Sequence, residues 1–418
     1  MDEQLSPAVM QKSVALATKL PSFRSAQESV EETLEIELCP KRLERLSEQI
    51  GEERVVERKA EIAAWQALPL VEKLAAPAGV KAPEVAVVMC DGGRLQRCDL
   101  PVTAKSRWCE TKVGALLEYQ PQEHAADPCP EVPDRFLDLV QMETLTREIK
   151  RVAPKGSVFQ PADAAPQEAS APPPDMVASA REEVVADPPE VRSRDVVATL
   201  AENAIFGTHL AARAWGLGFA AAKRKAFVAD GLPANWTLWR RHFQHLKFVP
   251  ILDFIHALSY VFAAAMAGRT SPVGGPIYIR WITWVWQGNV TQVIEELSAR
   301  SAELGSPPPE AGETDPRSIV AEALTYLTNQ QSRMKYATYR QQGLPITSSH
   351  MESTVKQVNY RVKGSEKFWT ERGGEPMLQL RADQLSDTRP LPAFWFRRAN
   401  HATGTRTRRP GKNTQKAA

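Results

Sequence analysis

Cysteine, net charge and unbroken apolar sequence are all scarce in this chain. The five cysteines (Cys39, Cys90, Cys98, Cys109 and Cys129) are dispersed, odd in number and without a C-x-x-C pair. That pattern suits a reducing compartment better than a disulfide framework. A zinc ion on Cys90, Cys98 and Cys109 would need a spacing that matches no usual ligand pattern. The 52 Lys and Arg against 50 Asp and Glu leave a formal charge of +2. No global field therefore recruits a polyanion, and any nucleic-acid contact must come from local basic patches. The most apolar stretch, Phe248 to Met266, contains Asp253 and His256 and is too polar to span a membrane. The opening Met-Asp-Glu-Gln lacks the basic and apolar regions of a signal peptide, so the expectation is a soluble intracellular protein.

Proline, in contrast, is plentiful. Its 32 residues cluster, which marks linkers between ordered parts. Hydrophobic and charged fractions of 43% and 24% are ordinary, excluding a wholly disordered or collagen-like chain. The length of 418 residues has room for about two to four structural units.

Residues 1–80 read as helical, with apolar residues at three- and four-residue spacing in Ser22–Cys39 and Lys41–Leu70. Pro40 predicts that one helix ends near Glu37 and the next begins at Lys41. Two short helices around a turn suit either a DNA-binding helix-turn-helix or a small packing bundle. From residue 83 the pattern changes. Val85–Cys90 is a compact apolar run that predicts a buried strand, stopped by an Asp91-Gly92-Gly93 turn. Trp108–Tyr119 predicts further strand material. A helix is expected from Pro133 to Val152, then a flexible Pro/Ala-rich insertion over 153–190.

Beyond the insertion, a helix is expected from about Arg194 to Ala222. Strands follow at Lys225–Asp230 and Phe248–Asp253, and then a helix from Phe254 to Ala267. This alternation implies an α/β layer whose sheet is at least partly parallel. A helical insertion is expected over 269–316, with a helix near Gln287–Leu304, and long helices thereafter to about residue 385. From Arg397 the tail carries seven Lys or Arg and no acid, so disorder and attraction to polyanions are expected there.

Asp91 and Asp230 stand at the same kind of place, after a buried run and before glycine. Carboxylates at strand ends of an α/β sheet can hold a cation, and their hard oxygens suit Mg2+. The plain alternative is that Asp-Gly is a turn dipeptide. Glu352 lies in a segment where Met351, Val355, Val358 and Val362 make a buried helical stripe. Glu352, Lys356, Asn359 and Lys363 fall on an adjoining face, as a surface along a phosphate backbone would need. Ser349 to Glu352 is also a capping-box spacing, which would give Glu352 a purely structural task.

These motifs occur in a recognisable order: Met-Cys-Asp91-Gly-Gly, Trp108-x-Glu-x-Lys-Val-Gly114, Val-Ala-Asp230-Gly, Asp253-x-x-His256, Ser-Ser-His-Met-Glu352-Ser and Lys363-Gly-x-x-x-Phe-Trp369. The order resembles a bacterial insertion-sequence transposase, more narrowly the Kra-type group, distant relatives of Mutator-like transposases with a DDE triad. It covers residues 83–119 and about 195–396. The resemblance implies an α/β fold with a ribonuclease-H-like catalytic core over 83–396, a mixed sheet flanked by helices, preceded by the helical region. It makes Asp91, Asp230 and Glu352 the catalytic and metal-binding acids. Asp253 and His256 become a supporting (Cys or Asp)-x-x-His element, and Asp253 is the alternative second acid. The implied chemistry is cleavage and strand transfer of DNA with two Mg2+ or Mn2+ ions.

Transposon ends and target DNA are the implied partners, bound by a homo-oligomer in the bacterial cytoplasm, with no membrane. Candidate phosphate contacts are Lys356, Lys363, Arg406, Arg408 and Arg409. Two alternatives are a ribonuclease-H-like nuclease that cuts without rejoining, and a catalytically inactive, transposase-derived DNA-binding protein.

Overall fold

The computed structural model describes residues 5–150, apart from 102 and 105, and residues 189–402. Four helices open the chain: α1 (Pro7–Lys19), α2 (Phe23–Leu34), α3 (Pro40–Ala67) and the short α4 (Leu70–Leu74). Ser6 and Ser22 cap the first two by accepting from Val9 N and Ser25 N, which satisfies amides that a helix start leaves unpaired. Pro40 occupies the first turn of α3, where its missing N–H costs nothing. α2 ends at Leu34, three residues before the expected stop. Ala17, Ala26, Val30, Leu38 and Leu43 form a small core shared by these helices.

The sheet begins with β1 (Val85–Arg97) and β2 (Trp108–Tyr119). The first six residues of β1 are all buried, which explains their continuous apolar character. β1 does not turn at Asp91, as its Asp-Gly-Gly sequence predicts; it runs on to Arg97. Neither Gly92 nor Gly93 takes a positive φ. Gly93 serves close approach instead, since a Cβ there would lie 2.6 Å from Thr111 Oγ1 and 2.9 Å from Asn359 Oδ1.

After α5 (Leu139–Lys150) comes a second correction. The helix expected over 194–222 is a strand, β3 (Val191–Thr199), followed by α6 (Asn203–Gly216). Pairing with β2 decides this, and Arg194 further exchanges backbone hydrogen bonds with Asp387, through its carboxylate and its N–H. The expected insertion over 153–190 lies outside the described residues except for 189 and 190.

β4 (Arg224–Ala229), α7 (Pro233–His242) and β5 (Val249–Leu252) complete the main sheet. Its strand order is β3-β2-β1-β4-β5. β2 is antiparallel to both β1 and β3, whereas β4 and β5 run parallel to β1. α8 (Phe254–Met266) leaves β5 and is capped by Asp253, which accepts from Ile255 N at 2.9 Å. Then come α9 (Ser271–Trp286), α10 (Val290–Leu304), α11 (Pro316–Gln330) and α12 (Tyr336–Gln341). Trp281 and Trp286 are fully buried in this part; the Trp286 indole donates to Cys129 O and lies beneath the Arg340 guanidinium at 4.0 Å.

The last elements are α13 (Ser349–Val362), β6 (Phe368–Trp369), α14 (Glu371–Leu385) and α15 (Pro390–Ala402). β6 pairs with the far end of β1. α13 packs on β1 and β2, and α14 packs on β3 and α3. Arg54 of α3 bonds Asp383 at 2.9 Å, and Arg58 bonds Glu375 at 2.7 Å. The N-terminal helices are therefore tied to the sheet-bearing part by buried ion pairs. Of the basic tail expected from residue 397, residues 403–418 lie outside the described residues. Arg397 and Arg398 belong to α15 and pair with Glu57 and Glu53. Among the described residues no helix is long and apolar enough to cross a membrane.

Candidate active site

Sheet register sets three aspartates in one row. β1 pairs with β4 up to Met89–Val228, and β4 pairs with β5 up to Ala229–Leu252. Continuing each register places Asp91, Asp230 and Asp253 in one row across adjacent strands, where side chains of paired residues share a face. Asp91 stands where β1 has lost β4 as a ladder partner and keeps β2, opposite Val113. Residues 91 and 93 share one face of β1, and Gly93 meets Asn359 of α13. The row thus faces the helix that carries Glu352.

The charges act on one another. Water reaches Asp91, but the surrounding protein displaces much of the solvent, and burial is the main reason its carboxyl is pushed up to about 6. The Gly92 N–H, at 2.6 Å from Oδ1, and the charge of His256 oppose the rise; Asp230 and Glu352 add to it. Asp230 is also raised, chiefly by burial, against the pull of His256 and of hydrogen bonds from Leu232 N and Asn235 Nδ2. Two carboxylates with raised pKa values, one of them feeling the other's charge, favour an added positive charge.

Asp253 is only 2% exposed and accepts from Ile255 N, His256 Nδ1 at 3.0 Å and Ser348 Oγ at 2.6 Å. Burial would raise its pKa, but His256, Ser348 and the helix amide together hold it below the usual carboxylate range. Burial likewise opposes charge on His256, yet its hydrogen bond to Asp253 and the charges of Asp253, Asp230 and Asp91 push it up to about 9. At neutral pH the row therefore contains an imidazolium.

Ser349 lies inside α13 and Ser348 is the cap residue, without a side-chain cap bond. The 349–352 spacing is accordingly not a capping box. The Ser348 hydroxyl instead ties the start of α13 to the end of β5.

Among the described residues no three His, Cys, Asp or Glu side chains are gathered into a ready metal-ligand set. Glu352 reaches Asp91 electrostatically, and the two raised aspartates have the donor chemistry that a hard divalent cation prefers. The conceivable cysteine grouping is not formed either. Cys90 is buried with its thiol 3.4 Å from Asn235 Oδ1, whereas Cys98 lies against Trp369 O.

Lys356 is exposed on α13, and Lys363 is exposed as the extended residue that follows its last turn. Between them Arg361 is 1% exposed; it donates to Ala17 O and is covered by the Phe23 and Trp369 rings. Arg406, Arg408 and Arg409 lie outside the described residues. Two site residues were not singled out from sequence: Ser348 and Asn235. Asn235 sits in the first turn of α7, five residues after the acid it bonds, and that spacing was the available signal. Comparison with protein-family models and with curated proteins finds no match.

Proposed function

We propose that the chain is a DDE-type DNA transposase with a ribonuclease-H-like core. The observation that carries this reading is the row of Asp91 and Asp230 on adjacent parallel strands with Glu352 in electrostatic range on the packed helix α13. The strand order, three antiparallel strands followed by two parallel ones, supports the same reading. Asp91, Asp230 and Glu352 would hold two Mg2+ or Mn2+ ions. When bound, such ions activate the attacking oxygen and offset charge on the phosphate and the leaving 3′ oxygen. Asp253 orients His256, whose positive charge lies beside Asp230 and Asp91 and balances them while metal is absent. Lys356, exposed on the helix that bears Glu352, and Lys363, exposed just past its end, are the phosphate contacts.

The test is Asp91→Asn, read in two assays on DNA carrying the sequences that flank the coding region. Asparagine keeps shape but loses the charge that holds metal, so Mg2+-dependent nicking should fall by several powers of ten. Gel-shift affinity should stay nearly constant, because binding rests on Lys and Arg contacts spread over a larger surface. Nicking by the variant at near wild-type rate would show that Asp91 is structural. Wild-type nicking without strand transfer from pre-cut ends would favour a nuclease, and binding without nicking an inactive descendant.

A further inference from the structure

A groove of about 1190 Å³ opens beside the acid row, with Asp230 and His256 among its lining residues and α7, α8 and α11 as its walls. Its walls differ in charge. Arg240 of α7 and Arg333, in the short turn after α11, belong to one wall with Trp236, whose ring lies under the Arg333 guanidinium at 4.4 Å. Trp236 and Arg240 are one helical turn apart and so share a face of α7. Glu313 and Glu322 line the stretch leading into and along α11, and Glu322 bonds Tyr260. Tyr260 and Tyr326 stack with centroids 3.7 Å apart and planes 8° apart.

Among the described residues neither arginine has a carboxylate partner. Arg240 donates to Thr237 Oγ1, and Arg333 to Asn329 O and Gln330 Oε1, all neutral acceptors. The Arg333 pKa is lowered, by burial first and then by the charge of Arg240, so two cations are held together without an anion. Arg241 and Lys247, both exposed, extend the positive surface past the end of α7.

We propose that this groove holds the DNA strand leaving the acid site as unpaired nucleotides, with Arg240 and Arg333 on its phosphates and the Tyr260–Tyr326 stack against a base. Continuity with Asp230 and His256 selects the strand that is cut. Tyr260 and Tyr326 line the groove, and a base can stack on a tyrosine there only when unpaired, since a duplex hides its base faces. The assignment rests on the phosphoryl-transfer reading of the acid row.

The test measures binding without chemistry. Fluorescence anisotropy in EDTA would compare a labelled oligothymidylate with a duplex of equal length, using the full chain, Arg240→Glu, Arg333→Ala and the double variant. The double variant should bind oligothymidylate about tenfold or more weakly. The slope of log affinity against log salt should be shallower by about 1.4, two contacts at about 0.7 each. Duplex binding should change far less. Arg240 is exposed, so Arg240→Glu keeps the fold even if Arg333→Ala does not. Unchanged oligothymidylate affinity and slope in Arg240→Glu would overturn the groove assignment, and an equal loss for duplex would overturn its restriction to unpaired nucleotides. Loss of oligothymidylate binding in Arg240→Glu together with normal nicking by Asp91→Asn would remove the proposed chemistry and leave the groove.

Discussion

Replacing Asp253 by asparagine should uncouple His256 from the acid row. Asp253 is the principal partner of His256, through a 3.0 Å hydrogen bond and its charge, and together with Asp230 and Asp91 it outweighs burial to raise the imidazole from 6.5 to about 9. A rise of that size corresponds to roughly 3 kcal/mol in favour of the charged form. A raised histidine stabilises the folded state fully below pH 6.5 and loses that contribution as pH climbs through about 9. The depressed Asp253 contributes above 3.8 and loses its contribution as pH falls through its folded value. The pair therefore acts at full strength between 3.8 and 6.5.

In Asp253→Asn, burial, the largest single influence on His256, is opposed only by Asp230 and Asp91. The imidazole should then titrate about two or more pH units lower. Urea denaturation in EDTA should show a loss of about 3 kcal/mol near pH 6 that shrinks toward pH 9.5. Titration of the histidine ring protons by NMR, with His256→Gln to assign the signal, measures the pKa directly. A His256 that still titrates near 9 in the variant, or a stability loss equal at both pH values, would refute the reasoning.

Asp91→Asn should raise the melting temperature of metal-free protein near pH 7.5 and leave it unchanged below about pH 4. A carboxyl raised from 3.8 to about 6 costs stability increasingly between those pH values and in full above the upper one, and solvent contact keeps the gain modest. Gly51→Ala should cost about 1–3 kcal/mol in urea denaturation, because its Cβ would meet Pro376 O at 2.7 Å and force α3 away from α14. Arg54→Ala should cost about 3–5 kcal/mol by leaving the buried Asp383 charge without its cation and with only the Gln379 amide as donor; a loss under about 1 kcal/mol would mean that water replaces the arginine. Toward a thiol reagent the exposed Cys39 and Cys98 should react in the native protein, and Cys90 only on unfolding, since burial pushes its thiol well above the usual range.

Much of the local structure was legible in the residues. β2 has the predicted bounds, Trp108–Tyr119, and α8 begins at Phe254 as expected. The stripe Met351, Val355, Val358 and Val362 is buried as its spacing requires. Each of these rests on neighbours within a few residues, which periodicity reports. The misread segments are those where a distant partner wins. Val191–Thr199 has no Gly or Pro between it and α6, so nothing local separates the strand from the helix. Its ladder with β2 does. The Asp91-Gly92-Gly93 run looks like a turn because glycine is a local punctuator, yet β2 on one side and Asn359 on the other hold it extended.

The site divides along the same line. The sequence singled out Asp91, Asp230 and Glu352 by their local patterns, and Asp253 and His256 through the family resemblance. Tertiary structure decided how they meet. Sheet register sets three aspartates in one row, and Ser348 bonds Asp253 instead of capping α13. Arg361, one more cation on a basic helix by sequence, is sealed beneath Phe23 and Trp369. The physical reason is range. Propensity and periodicity act over one or two turns, whereas register, burial and the mutual field of charges depend on segments hundreds of residues apart.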